Sequence, residues 1–186
     1  MPAFFNAVSA LDNARDLLLL ILFTGLRVTE ASSLRWEDVD LPLRMIRVKA
    51  SSTKADRKLD LPVSDVVRDM LVARRSLGDA KYVFPGEKGH IRGARAQLET
   101  IAKSTRVNVS HHDLRRTYIT VAESADISPM AMKLLVNHSL GKDVTGGYVI
   151  MNQKRLAEAA QKVADEIKQL CAVTTPVGEN VTKLTG

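Results

Sequence analysis

The most constraining feature of this chain is an unbroken apolar run near its start, from Leu17 to Phe23. In a helix such a run is apolar on nearly every side, so the helix must be buried on every side. The run is far shorter than the roughly 20 residues that cross a bilayer, so it is not a membrane span. Thr24-Gly25 follows, and glycine supplies the left-handed exit at which helices commonly end. We therefore expect a buried core helix from Ala14 to Phe23.

Composition indicates one folded domain with a basic surface. At 186 residues, with 45% hydrophobic and 26% charged residues, the chain is long enough for one substantial core and cramped for two. A net charge of +6 and a pI near 9.6 favour a polyanionic partner, nucleic acid before membrane. A basic cytoplasmic protein without such a partner fits the charge equally well.

Cysteine usage and the N-terminal residues indicate a reducing compartment. Cys171 is the single cysteine, so it cannot form an intramolecular disulfide, and no metal-ligand spacing surrounds it. The N-terminus lacks the basic-then-apolar order of a signal peptide. We therefore expect a cytoplasmic protein.

Two segments alternate apolar and polar residues in the rhythm of a half-buried strand. They are Met45 to Lys49 and Arg57 to Leu61, the second ending at Pro62. The residues between them place Lys54 at or near the tip of a hairpin, so the region predicts a small antiparallel sheet. A lysine at such a tip is usually a solvated charge that protects an edge strand from pairing.

The rest of the chain is mainly helical by pattern, and Ser64, Ser110 and Ser128 mark helix starts as caps. The further predicted helices are Val28 to about Leu34, Asp65 to about Ser76, Ala94 to about Lys103, the segment after Ser110 toward Glu123, Met130 to Val136, and Gln153 to about Leu170. Residues 172–186 are polar with few aromatic residues, and we expect them to be disordered. The expected fold class is α+β.

A histidine and an arginine stand three residues apart in the segment Ser110 to Tyr118. Residues at i and i+3 share one helical face, so His112 and Arg115 can reach the same small anion. The guanidinium can grip two phosphate oxygens, and the imidazole can donate or accept a proton. Taken alone, such a pair is more often a solvated surface feature.

Candidates elsewhere in the chain could complete a phosphate site. Arg27 begins the helix after Gly25, where the buried helix would hold it rigidly, and the alternative is a surface pair with Glu30. His138 lies at a helix end whose dipole favours an imidazolium, although an inert capping histidine fits as well. Tyr148 follows paired glycines that suggest a flexible mount, although most tyrosines pack in a core.

The order of these segments carries a family resemblance. Thr24 to Glu30, Ser110 to Tyr118, Asn137 to Ser139 and Gly146 to Val149 together resemble the catalytic domain of the tyrosine recombinases, the phage-integrase family. The resemblance implies a mainly α-helical catalytic domain with a small three-stranded antiparallel sheet, the fold of DNA breaking and rejoining enzymes. It also implies site-specific DNA recombination or integration through a covalent 3′-phosphotyrosine intermediate. A catalytically inactive DNA-binding or protein-interaction relative and a type IB topoisomerase-like activity are the alternatives.

The resemblance assigns roles to individual residues. Arg27 and Arg115 would clamp the phosphate, and Tyr148 would be the nucleophile. His112 would assist the tyrosine, and His138 would hydrogen-bond the phosphate.

The leaving 5′-oxygen needs a proton, and Lys54 is the candidate general acid, with Lys49 and Lys58 as competitors. The phosphotyrosine ester keeps the energy of the phosphodiester, so the resemblance implies no nucleotide cofactor. The four histidines show no metal-ligand spacing, so no metal is expected.

The implied partner is double-stranded DNA at attachment or recombination sites. Lys88, Arg92 and Arg95 are candidate phosphate contacts, and a solvated face explains them equally well. A homo-oligomer is expected, a tetramer on synapsed DNA. The helix that begins at Gln153 could dock on a neighbouring protomer or pack on its own domain.

The expected organisation is one tyrosine recombinase catalytic domain over residues 1–171 and a tail over residues 172–186. The N-terminal core-binding domain that family members usually carry is expected to be absent. The resemblance also implies a protein encoded by a bacterium or a phage and associated with the bacterial nucleoid.

Overall fold

A computed structural model of the chain describes residue 4 and residues 13–48, 59–136 and 153–171. Within these residues the helices are α1 Asn13–Thr24, α2 Val28–Ser32, α3 Asp65–Arg75, α4 Arg95–Thr105, α5 His111–Ser124, α6 Pro129–Leu135 and α7 Gln153–Leu170. Each predicted helix is present, with ends close to the expected ones. The fold is therefore mainly helical, as the sequence pattern predicts.

Short strands in the same residues form two antiparallel sheets. They are β1 Val39–Asp40, β2 Met45–Val48, β3 Leu59–Pro62, β4 Pro85–Gly86 and β5 Gly89–His90. The first sheet has the order β1-β2-β3, with Ile46 paired to Val39 on one side and Leu61 on the other. The predicted small antiparallel sheet is confirmed, and it has the three strands that the resemblance implies. Strand β3 includes Pro62, which pairs with Met45, so the proline does not stop the pairing.

Helix α1 lies at the centre of the core. Every residue from Leu17 to Thr24 is buried, as the apolar run predicts. Helix α1 packs chiefly against α5 and also against α2, α3 and α7. Each fully buried leucine side chain stabilises the fold by about 1.5–3 kcal/mol relative to an exposed one. The C-terminal end of α1 therefore provides a rigid base for the turn that follows it.

Serine caps begin two of the three helices for which they were predicted. Ser110 accepts a hydrogen bond from the backbone of Asp113, and Ser128 caps α6 with Pro129 in its first turn. The prediction for Ser64 is only half right. Ser64 holds the residue position before α3, but its hydroxyl is buried and has no hydrogen-bond partner.

The amide group of a side chain from α7 caps α3 instead. Gln161 Oε1 accepts a hydrogen bond of 2.8 Å from the backbone N–H of Asp65. This acceptor lies 96 residues away in sequence, so no local pattern could predict it.

The apolar face of α7 is buried within its own chain. Leu156, Val163 and Ile167 are buried, and the helix contacts α1, α5, α6 and β3. Packing on its own domain, one of the two alternatives for this helix, is therefore what residues 153–170 show. Leu170, expected on that apolar face, is exposed. Among the described helices none is both long and apolar enough to span a membrane.

Candidate active site

The turn that ends α1 is shaped by a close contact with α5. Gly25 has φ +66°, and a β-carbon there would lie 2.6 Å from Cδ1 of the buried Tyr118 ring. Only glycine combines this left-handed backbone with such a close approach. The next residues, Leu26 and Arg27, therefore leave the buried helix in a fixed direction, and Arg27 directly precedes α2.

Glu30 holds Arg27 from the protein side. Its carboxylate accepts two hydrogen bonds from Arg27, one of 2.8 Å from the backbone N–H and one of 3.1 Å from Nη1 of the side chain. The Glu30 side chain is only 2% exposed, whereas that of Arg27 is 45% exposed. The ion pair of Arg27 with Glu30, which the sequence offered as a surface alternative, therefore forms, but its carboxylate is buried. The contact orients the guanidinium while much of it faces solvent.

Arg115 ties together the ends of two other helices. It is 6% exposed, and its guanidinium donates to the carbonyl oxygens of Gly25 and Val136, the second at 2.6 Å. Gly25 follows α1, and Val136 follows α6. A guanidinium carries five N–H donors in a rigid fork, so it can hold these carbonyls and still address another acceptor.

The two arginines lie close enough to influence one another. Burial lowers the pKa of Arg115, the positive charge of Arg27 lowers it further, and Glu30 acts in the opposite direction. Like charges rarely stand together unless other groups compensate them. A small anion bound beside Arg27 and Arg115 would relieve this repulsion.

His112 lies in the first turn of α5 and is exposed. The helix begins with a capping box, in which the Asp113 carboxylate accepts from the N–H and hydroxyl of Ser110. These hydrogen bonds lower the pKa of Asp113, and the charges of Arg116 and His112 lower it slightly more. The N-terminus of a helix attracts anions through its dipole and its N–H groups. His112 and Arg115 thus share one helix, the first exposed and the second buried.

The other predicted basic residues lie on a separate segment. Lys88 is exposed in the turn between β4 and β5, Arg92 is exposed after β5, and Arg95 is the first residue of α4. The Arg95 side chain is 90% exposed and lies 3.4 Å from Glu99. The structure therefore places these three side chains in solvent.

Lys54, His138 and Tyr148 lie outside the described residues, as do Lys49 and Lys58. Strands β2 and β3, which flank the lysines in sequence, pair through Val48 and Leu59.

Neither tyrosine in the described part of the chain is placed as a nucleophile. Tyr118 is buried, and burial raises its pKa well above the ordinary value of 10.0. The ring of Tyr82 is tilted by 48° against the ring of His90, with 5.0 Å between centroids, and its centroid lies 5.6 Å from Cζ of Arg35.

Sequence reasoning missed two parts of this site. The spacing of three residues signalled that Glu30 could pair with Arg27. Nothing in the sequence signalled that Glu30 would be buried. No sequence pattern assigned a role to His111, yet its Nε2 accepts a hydrogen bond from the backbone N–H of Ala94 at 3.0 Å. Within the described ranges, no group of three or more His, Cys, Asp or Glu side chains is placed to hold a metal ion.

The helical fold with its three-stranded sheet is that of the tyrosine recombinases, as comparison with solved structures shows. The chain belongs to the phage integrase family, whose sequence profile matches residues 4–155.

Curated relatives are similar to the chain over most of its length. Prophage integrase IntF of Escherichia coli K12 is 28% identical over 154 residues, which cover 74% of this chain and 31% of that protein. Tyrosine recombinase XerA of Pyrococcus furiosus is 25% identical over 159 residues, covering 81% of this chain and 55% of that protein. The chain therefore spans about half or less of the length of these relatives.

Solved structures share the fold at low sequence identity. The integrase from mycobacterium phage Brujita has a TM-score of 0.68 at 22% identity, covering 86% of this chain and 55% of that one. XerH recombinase bound to its difH substrate has a TM-score of 0.60 at 22% identity, covering 85% and 51%. A lambda integrase tetramer bound to a Holliday junction has a TM-score of 0.57 at 16% identity, covering 76% and 45%.

Proposed function

We propose that this chain catalyses site-specific DNA recombination or integration, cutting a strand through a covalent 3′-phosphotyrosine and rejoining it to a partner strand. The observation that carries the proposal is the placement of two arginines at one turn: Arg115 donates to the carbonyl of Gly25, and Arg27 follows Gly25 by two residues. A phosphodiester bound by both guanidinium groups would add negative charge to that of Glu30, which pairs with Arg27. The names of the curated relatives, integrases and tyrosine recombinases, support the same reaction.

Tyr148 is the proposed nucleophile. Its oxygen would form a bond to phosphorus while the bond from phosphorus to the 5′-oxygen breaks, which leaves the 3′-phosphate on the tyrosine. His112 would assist removal of the phenol proton, because a tyrosine with an ordinary pKa near 10 is a poor nucleophile at neutral pH. Lys54 would donate a proton to the leaving 5′-oxygen, with Lys49 and Lys58 as the competing candidates.

Rejoining would run the same step in reverse. The 5′-hydroxyl of a partner strand would attack the phosphotyrosine, the tyrosine oxygen would leave, and the phosphodiester would be restored without a nucleotide cofactor. Throughout, Arg27 and Arg115 would stabilise the charge that develops on the phosphate oxygens. His138 would hydrogen-bond the same oxygens. The hydrogen bond from Arg115 to Val136 supports this role, because it anchors the chain two residues before His138.

Double-stranded DNA is the proposed partner. Lys88, Arg92 and Arg95 would contact backbone phosphates, which position a protein on DNA without reading its sequence. A tetramer on synapsed DNA is proposed from the lambda integrase tetramer on a Holliday junction. Because the apolar face of α7 is already buried, that helix could contribute only its exposed face to such an assembly. The proposed location is the cytoplasm of a bacterium, at the nucleoid.

A covalent trapping experiment tests the proposal. The attachment site would first be recovered by selecting random duplexes that the full chain binds. A suicide duplex carrying that site, with a nick that lets the short 5′-hydroxyl strand diffuse away, should then trap a protein–DNA adduct on a denaturing gel. Tyr148→Phe should abolish the adduct, and Tyr82→Phe is the matched control that should retain it.

Three outcomes would reject parts of the proposal. An adduct that persists in Tyr148→Phe would show that another side chain is the nucleophile. Specific binding without any adduct would indicate an inactive DNA-binding relative. Relaxation of a supercoiled plasmid without strand exchange between two duplexes would instead indicate a type IB topoisomerase-like activity.

A further inference from the structure

His111 is the neighbour of the proposed catalytic histidine, and its ring is half-buried. Its Nε2 accepts a hydrogen bond of 3.0 Å from the backbone N–H of Ala94, the residue before α4. Ala94 is the N-cap residue of α4, and its own side chain makes no capping hydrogen bond. In a capping box, a side chain within the helix accepts from the N–H of the cap residue. His111 makes this contact for α4 from a different helix.

The same ring packs against Gly93. A β-carbon on Gly93 would lie 3.3 Å from the ring Cε1 and 3.6 Å from Cγ2 of Val28, so the ring and Val28 cover the same side of that residue. Val28 begins α2 and follows Arg27 directly. Three segments therefore meet around Gly93: the first turn of α5 with His111 and His112, the start of α2 after Arg27, and the segment that carries Arg92.

We propose that His111 is a positioning residue, which holds His112, Arg27 and the basic segment 88–95 in their relative places only while its Nε2 is unprotonated. The inference rests on the proposed function, because it concerns the geometry of that site. A neutral imidazole nitrogen can accept from an N–H group, whereas an imidazolium has two donors and no acceptor. Protonation therefore replaces the hydrogen bond to Ala94 with two donors that face each other.

The surroundings of the ring favour its neutral form. Burial lowers the pKa of His111 below the ordinary value of 6.5. The ionisable side chains on the segments that meet at the ring are Lys88, His90, Arg92, Arg95, Arg27, Glu30, His112 and Asp113. Arg27 is paired with Glu30, and Arg95 with Glu99.

The direction of the pH dependence follows from this lowered pKa. The unfolded chain takes up a proton at His111 at a higher pH than the folded chain does. The contribution of the contact is therefore complete above about pH 6.5 and is lost as the pH falls through the lower folded pKa.

Three substitutions separate the effect of the hydrogen-bond acceptor at position 111 from the effect of its protonation. His111→Gln places an amide oxygen near the position of Nε2 and cannot be protonated in this range. His111→Leu keeps apolar volume but offers no acceptor. His90→Gln removes the other histidine of the neighbouring segment, whose Nδ1 lies 2.9 Å from the carbonyl of Ile91, and is the matched control.

Hydrogen exchange at the Ala94 amide, followed by NMR on the full chain without DNA, tests the contact independently of catalysis. In the wild type and in His90→Gln, protection should fall about fivefold between roughly pH 7.5 and the lowest pH at which the chain stays folded, the value of one hydrogen bond. His111→Gln should keep its protection across this range, and His111→Leu should lack it at every pH. A flat wild-type profile, or the wild-type pH dependence in His111→Gln, would overturn the inference.

The rate of adduct formation on the suicide duplex, at saturating DNA, tests the consequence for the site. We expect His111→Leu to lower this rate about fivefold or more at neutral pH, because misplaced groups lose rate steeply. His111→Gln should restore the neutral rate and remove the acid-side decline that depends on His111.

The two readouts also separate the two proposals. If the wild type forms no adduct, the proposed function fails, and amide exchange still decides the role of His111 in holding the segment. If the wild type is active and His111→Leu matches its rate at every pH, His111 has no positioning role.

Discussion

Two arginines of this protein are almost equally buried but differ in their partners. Arg115 is 6% exposed and Arg74 is 9% exposed. Arg74 is on α3, and its Nη1 lies 2.8 Å from the carboxylate of Asp16. Its Nε donates a hydrogen bond of 2.9 Å to the carbonyl of Val83. Its guanidinium also stacks over the ring of Phe84 at 4.7 Å. The charge of Arg74 is therefore balanced within the protein.

Arg115 has a different set of neighbours. It donates to the neutral carbonyls of Gly25 and Val136. Burial lowers its pKa, the charge of Arg27 lowers it further, and Glu30 acts in the opposite direction. A buried arginine beside a carboxylate joins elements of the core, whereas one beside a second arginine offers positive potential to an incoming anion. The group that each guanidinium contacts directly, a carboxylate for Arg74 and neutral carbonyls for Arg115, separates the two arginines, whereas burial does not.

The largest expected effect comes from Arg115→Lys, which tests the anion-binding side of this comparison. Lysine keeps the charge but cannot bridge two phosphate oxygens or hold both carbonyls. The single-turnover rate of adduct formation should fall by about 10²–10³-fold, as when one preorganised donor is lost. Arg116→Lys, at the exposed neighbouring position, is the control and should change the rate little. A rate for Arg115→Lys within a few fold of wild type would break the comparison.

Arg74→Leu tests the structural side. Removing the guanidinium leaves the partly buried Asp16 only its longer contact of 3.7 Å with Arg15 Nε, so the free energy of unfolding should fall by about 3 kcal/mol. Urea denaturation measures this loss. The rate of adduct formation, corrected for the folded fraction, should stay near that of the wild type. Equal losses of corrected rate in Arg74→Leu and Arg115→Lys would show that the two arginines do not differ in role.

Gly25→Ala strains the turn whose carbonyl accepts from Arg115. The residue has φ +66°, and the new β-carbon would meet Tyr118 at 2.6 Å, so we expect a loss of about 2 kcal/mol in unfolding free energy. Gly78→Ala is the matched control, because Gly78 also has a positive φ, +146°, but nothing lies within 4 Å of a β-carbon there. If both substitutions cost the same in urea denaturation, the close approach to Tyr118 contributes nothing.

The smallest expected effect compares the caps of the two helices that carry these arginines. Ser110→Ala removes a used cap from α5 and should cost about 1 kcal/mol. Ser64→Ala removes a buried hydroxyl without a partner from the start of α3 and should cost nothing or stabilise the protein. Urea denaturation of both variants at neutral pH checks this difference.

The cost of Ser110→Ala should also depend on pH. The hydrogen bonds from Ser110 hold the pKa of Asp113 below its ordinary value of 3.8. This stabilisation is present above the ordinary pKa and is lost as the pH falls through the lower folded pKa. The difference between Ser110→Ala and wild type should therefore shrink in acid, and a difference independent of pH would contradict this account.

Much of the fold was predictable because its signals are local. The apolar run from Leu17 to Phe23 predicted a helix buried on every side, and that helix is the centre of the core. Alternation predicted strands β2 and β3, and the serines at 110 and 128 marked the starts of α5 and α6. The pairing of His112 with Arg115 on one helix followed from their spacing alone.

The primary structure therefore specified the helices, the small sheet and the residue types that the proposed phosphate site needs. The sequence could not specify that Arg74 would have a carboxylate as its direct partner and that Arg115 would have only neutral carbonyls among its hydrogen-bond partners in the described residues. Arg115 reaches its two carbonyls across 90 and 21 residues of sequence, and Arg74 reaches Asp16 across 58. Periodicity and capping act within a turn or a strand, whereas burial and the neighbouring charge arise only when distant segments pack. Three-dimensional packing thus placed one buried arginine beside a carboxylate and the other beside a second arginine.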